Sequence, residues 1–60
     1  MNNFKVGEKV MITKYWEGVG VIEKVSIGGI FLIWSVSKQQ TGGFYETDFI
    51  KLTELTLVLS

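Results

Sequence analysis

The feature that most constrains this fold is a series of short apolar runs separated by breaks that carry glycine. The runs are rich in Val, Ile, Phe, Trp and Tyr, which is typical of β-strands. No window of about 11 residues repeats apolar side chains at the i, i+3, i+4, i+7 spacing that indicates a helix. The sequence contains no proline, as expected where every strand donates to a hydrogen-bond ladder. The pattern therefore predicts an all-β protein.

We predict five short strands in one domain that covers residues 1–60, at 9–13, 18–27, 30–36, 44–47 and 55–60. A brief turn or 3₁₀ segment is expected at 48–50, with the Asp48 side chain as its cap. Gly18 and Gly20 lie inside the second run, where glycine marks a bulge or a tight bend. A small, strongly bent barrel needs such corners.

The dipeptide Gly28-Gly29 predicts a two-residue hairpin turn, because both positions of that turn need a positive φ. In that register, the face that carries the odd-numbered residues 21–27 and the even-numbered residues 30–36 is apolar at every position except Glu23, and we predict it to be the core. The opposite face then presents three large apolar side chains outward as a candidate binding patch: Ile22, Phe31 and Ile33. Alternatively, a bend or the C-terminal strand covers them, and a one-residue register shift exchanges the two faces.

Two pairs of adjacent aromatic residues are candidate interface anchors. Tyr15 and Trp16 lie in the first long loop, where aromatic side chains offer large contact area at low entropic cost. We expect one of them to be exposed and the other buried, with Trp16 favoured as the plug of the barrel end. Phe44 and Tyr45 point to opposite faces of a strand, so one belongs to the core and the other can join Tyr15 in an aromatic groove.

Composition excludes several classes of function. Without cysteine or histidine the chain can form neither disulfides nor thiolate metal sites, and Ser-His and Cys-His catalysis are excluded. Glu46 and Asp48 are expected to serve capping and solubility. We therefore predict no enzymatic activity, no cofactor and no metal. We expect no secretory signal, because residues 1–5 show no basic region followed by an apolar one, and the longest apolar run, 30–34, is far shorter than a membrane span. We accordingly expect a cytoplasmic protein with no membrane partner.

Three segments together resemble a known family pattern: FKVGEKV at 4–10, GVGVI at 18–22 and ETDFIKL at 46–52. They are similar to the SH3-like barrels of KOW and Tudor-like domains. The spacing is closest to the RNA-polymerase-interacting domain of CarD-type transcription regulators and the related repair-coupling factors. The resemblance implies a five-stranded SH3-like barrel whose partners are RNA polymerase, ribosomal components or peptides. The chain departs from that pattern at 15–17, where CarD-type sequences usually carry proline and histidine.

Two functions remain open at this point. The first is a small protein-binding module, such as a viral or mobile-element accessory protein that docks on a larger host machine. The alternative is a KOW-like nucleic-acid-associated module of the transcription or translation machinery. It requires a salt-sensitive contact through Lys9, Lys14, Lys24 and Lys38. The balance of six basic and six acidic residues disfavours it, because nucleic-acid binding depends on clustered positive charge.

The leucine-rich C-terminal run, residues 55–60, also has two possible roles. It can close the barrel against the first strand. It can instead pair with another chain through backbone hydrogen bonds, which would permit self-association.

Overall fold

The computed structural model describes residues 4–52. It contains a single antiparallel sheet with the strand order β4-β3-β2-β1-β5. The strands are β1 (Lys9–Ile12), β2 (Gly18–Val25), β3 (Phe31–Ser35), β4 (Gln40–Phe44) and β5 (Phe49–Lys51), with a 3₁₀ helix at Glu46–Asp48. The all-β prediction is confirmed over this range, and the predicted strand at 55–60 lies outside it.

The first three strands fall within two residues of their predicted limits, but the fourth and fifth do not. β4 begins four residues before the predicted strand at 44–47, because the chain has already reversed at 36–39. Gln39 ends that turn with φ 54°, and its backbone N donates to Ser35 O at 2.8 Å. Gly42 and Gly43 looked like turn residues, yet they pair with β3. The predicted turn at 48–50 is also wrong in part, since Phe49 already belongs to β5.

The hairpin between β2 and β3 has a longer loop than predicted. Val25 stands opposite Phe31, and Ser26 N donates to Ile30 O at 2.7 Å, so the loop has three residues rather than two. Gly28 and Gly29 have φ values of 84° and 79°, which confirms that this turn needs two left-handed residues. Further along, the register shifts between Ile22 and Lys24, where one extra residue of β2 forms a bulge.

The sheet is open at its edges but strongly curled. Over residues 4–52, β4 and β5 are the two edge strands and do not pair with each other. The rings of Phe31 on β3 and Phe49 on β5 nevertheless have centroids only 5.2 Å apart. Three strand spacings would separate β3 from β5 by about 14 Å in a flat sheet. Phe4 packs edge-on against both rings, with its centroid 4.8 Å from Phe49 and 5.9 Å from Phe31. The concave side therefore encloses the core.

The core consists of the side chains that point into this curl. All of them are almost completely buried: Val10, Ile12, Ile22, Phe31, Ile33, Phe44 and Phe49. The predicted outward patch of Ile22, Phe31 and Ile33 is therefore wrong, because these three residues lie in the interior. The predicted core face lies outside instead and includes Val21, Trp34 and Val36.

The small residues of the hairpin explain why the faces are exchanged. Gly20 and Ser35 stand opposite each other and are both buried, with the Ser35 Oγ accepting a hydrogen bond from Lys38 N at 3.3 Å. A Cβ atom at Gly20 would lie 2.5 Å from Cγ2 of Ile33. The concave side of a tightly curled sheet has little room, so it takes glycine and serine between its large side chains. Comparing the number of apolar residues on each face selects the wrong one.

Candidate partner-binding surfaces

The loop between β1 and β2 is fastened to the 3₁₀ helix. Both the backbone N and the Oγ1 of Thr13 donate to Asp48 O, at 2.8 and 3.1 Å. The Nζ of Lys14 lies 4.0 Å from the Oδ1 of Asp48. One buried residue thus holds the start of a loop that lies more than thirty positions earlier in the chain.

Asp48 also closes the 3₁₀ helix itself. Its Oδ2 accepts a hydrogen bond from Tyr45 N at 3.1 Å, and its own backbone N donates to Tyr45 O at 2.8 Å. This satisfies a backbone N–H at the helix start that has no partner within the helix. The predicted capping role of Asp48 is confirmed, although the helix ends at this residue rather than beginning there.

Removing the Asp48 carboxylate should therefore destabilise the fold and loosen the loop. We expect Asp48→Ala to lower the free energy of unfolding by about 1–2 kcal/mol, the cost of a lost cap. Urea unfolding at neutral pH measures this. Glu46→Ala is the matched control, because Glu46 is exposed in the same helix and should cost less than about 0.5 kcal/mol. Equal losses for the two variants would contradict the role of Asp48.

Trp16 anchors the other end of the loop. Its ring packs edge-on against Phe44, with centroids 5.8 Å apart and an interplanar angle of 70°. The indole covers Gly42, where a Cβ atom would lie 2.8 Å from Trp16 Cζ3. Glycine at this position therefore leaves room for the indole. Trp16 is partly buried against the core, which confirms the prediction that it, rather than Tyr15, is the inner member of the pair.

Tyr15 projects from the tip of the same loop. Its side chain is 81% exposed, and its φ of 68° places it in the left-handed region. Trp16 N donates to Lys14 O at 2.8 Å, which closes a three-residue turn around Tyr15. A non-glycine residue in this region costs on the order of 1 kcal/mol or more, so glycine would be favoured if only the turn mattered. The loop holds an exposed aromatic ring in spite of this cost.

Tyr45 lies on the segment to which the loop is fastened. It is 57% exposed while its neighbour Phe44 is buried, which confirms the predicted alternation. The contacts of Trp16 with Phe44 and of Lys14 with Asp48 flank the two tyrosines along the chain. No ring contact joins Tyr15 to Tyr45 within residues 4–52, so their predicted aromatic groove stays a prediction. We call Tyr15, Trp16 and Tyr45 the loop aromatic surface.

The charge beside the loop aromatic surface is acidic. Glu17 and Glu46 are the sequence neighbours of Trp16 and Tyr45, and both are exposed. Neither forms an ion pair with any residue in the range 4–52. Lys14, the basic residue of the loop, is already close to a carboxylate.

A second apolar surface covers the convex side of the sheet, and we call it the outer apolar face. Met11 stands opposite both Ile50 and Val19, and Val21 stands opposite Trp34, so these side chains share one side. The whole set spans four strands and the start of the β3–β4 turn: Met11, Val19, Val21, Leu32, Trp34, Val36 and Ile50. Sequence reasoning missed it as a surface, because it assigned this side of the hairpin to the core.

The outer apolar face is partly accessible to solvent. Trp34 is 37% exposed and Val36 is 52% exposed, while Met11, Val19 and Leu32 are half-buried among them. Large contiguous apolar patches are found at interaction sites more often than elsewhere on protein surfaces, so we treat this face as a candidate binding surface.

The lysines of the nucleic-acid alternative lie on four different elements. Lys9 and Lys24 pair with outer-face positions, opposite Val21 and Leu32. Lys14 belongs to the first loop and lies near Asp48, and residue 38 belongs to the β3–β4 turn. The structure therefore does not place all four on one strand or loop.

No protein-family model matches this chain, and comparisons with curated proteins and with solved structures give no match either. In the part of the chain that the structure describes, no three carboxylates come together as a possible metal site. Across the same residues, no helix combines the length and the apolar character needed to span a membrane. The loop aromatic surface and the outer apolar face are the two candidate binding surfaces of residues 4–52.

Proposed function

We propose that this chain is a small, non-enzymatic protein-binding module of the cytoplasm that docks on a larger assembly such as the transcription apparatus. The observation that carries the proposal is Tyr15, an exposed ring at the tip of a fastened loop, in a backbone conformation that costs energy. Such a cost persists where the surrounding structure enforces it, and it is concentrated at binding and catalytic sites.

We further propose that the sheet forms an SH3-like barrel. Its curl supports this proposal, since ring contacts join β3 to β5 across two intervening strands. The 3₁₀ helix immediately before β5 supports it too, because it returns the chain to the free edge of β1. The resemblance to KOW, Tudor-like and CarD-type domains remains part of the proposal.

The loop aromatic surface has the properties of a protein interface anchor. Tyrosine offers a large apolar ring and a polar hydroxyl with only two side-chain torsions to order on binding. The hydrogen bonds from Thr13 to Asp48 and the ring contact of Trp16 already fix the loop, so binding pays little further entropy. The exposed Glu17 and Glu46 favour a partner segment that carries lysine or arginine, and they repel phosphates.

A pull-down from the source lysate, run with and without nuclease and identified by mass spectrometry, tests the proposal. The bait is compared with a Tyr15→Gly/Tyr45→Ala variant, because glycine adopts the left-handed turn without strain and keeps the loop folded. Two aromatic anchors contribute a large share of the binding energy at an interface. The variant should therefore retain no more than about a tenth of the partner that the wild type retains. Ile27→Ala is the matched control, since Ile27 is apolar and 96% exposed in a different loop.

The outcomes separate the candidate functions. One protein retained at stoichiometric level after nuclease, and lost with the tyrosine variant alone, supports the module and identifies its target. Equal retention by the wild type and the tyrosine variant would show that the loop aromatic surface is not the site. Recovery that disappears on nuclease treatment would favour the KOW-like nucleic-acid module.

A further inference from the structure

We propose that two copies of this chain associate through the free edge of β4, with the two β4 strands antiparallel about a two-fold axis at Gly42. Within residues 4–52, β4 pairs with β3 on one side and with no strand on the other. The inference concerns backbone groups rather than the loop aromatic surface, and it does not depend on the proposed function.

The backbone groups that β4 directs to its free edge follow from the hydrogen bonds of β3. Val36, which follows β3, donates its backbone N to Val19 O on β2 at 3.1 Å. Because the backbone groups of successive strand residues point to opposite edges, the even-numbered residues of β3 face β2 and the odd-numbered ones face β4. These odd-numbered residues pair with residues 40, 42 and 44. Thr41 and Gly43 therefore direct their N–H and C=O groups to the free edge.

This edge lacks the features that usually prevent strands from pairing. β4 carries no lysine and no proline, and its register with β3 is regular. Gly43 offers no side chain, and the Oγ1 of Thr41 donates to Glu23 Oε1 on β2 at 2.6 Å, away from the edge. β5, the other edge strand, is only three residues long and ends in Lys51. A second backbone can therefore approach β4 more closely than β5.

β4 is complementary to itself in the antiparallel direction. With Gly42 opposite Gly42 of the second copy, Thr41 stands opposite Gly43 in two symmetric pairs, and each pair exchanges two backbone hydrogen bonds. Gly42 then forms the non-hydrogen-bonded pair, in which the Cα atoms approach to about 4.5 Å. The exposed Lys38 before one strand lies toward the exposed Glu46 after the other. One two-fold axis thus pairs both the backbone groups and the charges.

Neighbouring registers and other occupants are less favourable. One shift by two residues sets Thr41 opposite Tyr45, whose backbone N and O are already bonded within the 3₁₀ helix. The reverse shift sets Gly43 opposite Gln39, whose backbone N already donates to the end of β3. An unrelated extended segment would use the same backbone groups, but it has to supply the matching charges that the second copy has by symmetry. The central register between two copies is therefore the best match.

Sedimentation equilibrium of the purified 60-residue chain tests the inference. Four hydrogen bonds on a short strand make a small interface, so we expect a dimer with a dissociation constant on the order of 100 μM. Thr41→Pro removes the outward N–H and leaves the ladder with β3 intact, and it should raise that constant at least about tenfold. The matched control Thr41→Val keeps the N–H and should change it less than about threefold. Circular dichroism reports whether each variant stays folded.

Nuclear Overhauser effects in a mixture of isotope-labelled and unlabelled chains locate the interface. Cross-peaks between the Hα protons of Gly42 in two different chains support the inference, and they decide it if Thr41→Pro does not fold. A chain that stays monomeric up to about 1 mM would overturn it, as would a folded Thr41→Pro variant that dimerises like the wild type. A dimer whose cross-peaks join Trp34 instead would overturn it as well. The same holds for spectra in which the Gly43 amide bonds another segment of its own chain.

Discussion

Replacing Phe31 with alanine is expected to unfold most of the protein at room temperature. Phe31 is buried and packs against the rings of Phe4 and Phe49, with centroids 5.9 and 5.2 Å away. Truncating a buried phenylalanine costs about 3–5 kcal/mol, and the core of a domain of this size rarely supplies more than about 3–5 kcal/mol in total. Circular dichroism and urea unfolding measure the loss.

Ile27→Ala is the matched control in the same hairpin, and it should change the free energy of unfolding by less than about 0.5 kcal/mol. Ile27 is 96% exposed at the loop. The two-residue turn predicted from the sequence requires the reverse, because it places Ile27 in the core and Phe31 outside. A folded Phe31→Ala protein together with an unfolded Ile27→Ala protein would restore that register.

Adding one methyl group at Gly20 should be almost as damaging. A Cβ atom there would lie 2.5 Å from Ile33 Cγ2, 3.0 Å from Ile12 Cδ1 and 3.1 Å from the backbone oxygen of Trp34. The Trp34 carbonyl belongs to β3 and cannot move away without breaking the hydrogen-bond ladder of the sheet. We expect Gly20→Ala to lower the free energy of unfolding by about 1–3 kcal/mol, the usual cost of overpacking. Thermal and urea unfolding provide the measurement.

Gly43→Ala is the control that separates crowding at Gly20 from a general loss of stability on replacing a glycine within a strand. Gly43 faces outward, and its nearest neighbour for a new Cβ is the Cγ2 of Ile30 at 3.2 Å, an atom of a half-buried side chain. The substitution also restricts the unfolded chain, which stabilises by about 0.4–1 kcal/mol. Gly43→Ala should therefore be close to neutral. A neutral Gly20→Ala would mean that the interior near Ile33 is looser than the structure shows.

Local sequence features predicted the parts of the fold that depend on local chemistry. The alternation of apolar runs and glycine breaks identified the first three strands to within two residues. The need for positive φ located the turn at Gly28 and Gly29. Adjacent residues in extended chain point to opposite sides, which separated the buried Phe44 from the exposed Tyr45. Each of these inferences uses only neighbouring residues.

The face assignment of the β2–β3 hairpin failed because both faces are apolar. Composition alone preferred the side of Val21 and Trp34, since it carries more large apolar residues. The structure buries the side of Ile22 and Ile33 instead. That choice depends on Phe44 and Phe49, which reach this side from strands that follow later in the chain. A pattern within one hairpin contains no information about them.

The loop aromatic surface was partly predictable. An aromatic pair between two strands indicated Tyr15 and Trp16, and their division into exposed and partly buried partners followed from the expectation that one ring covers an end of the predicted barrel. What the pattern could not show is how the loop is fastened. The hydrogen bonds from Thr13 to Asp48 and the packing of the Trp16 ring over Gly42 join residues that are far apart in sequence.

The sequence by itself determined the secondary-structure class, the glycine turn and the absence of histidine and cysteine chemistry, because these follow from residue types and their nearest neighbours. Only the tertiary structure decided which side of the sheet is the core. A sheet that curls until Phe31 meets Phe49 leaves its concave side too narrow for anything but glycine and serine beside the large chains. Trp34 and Val36 are thereby placed on the convex side, where they stay partly exposed.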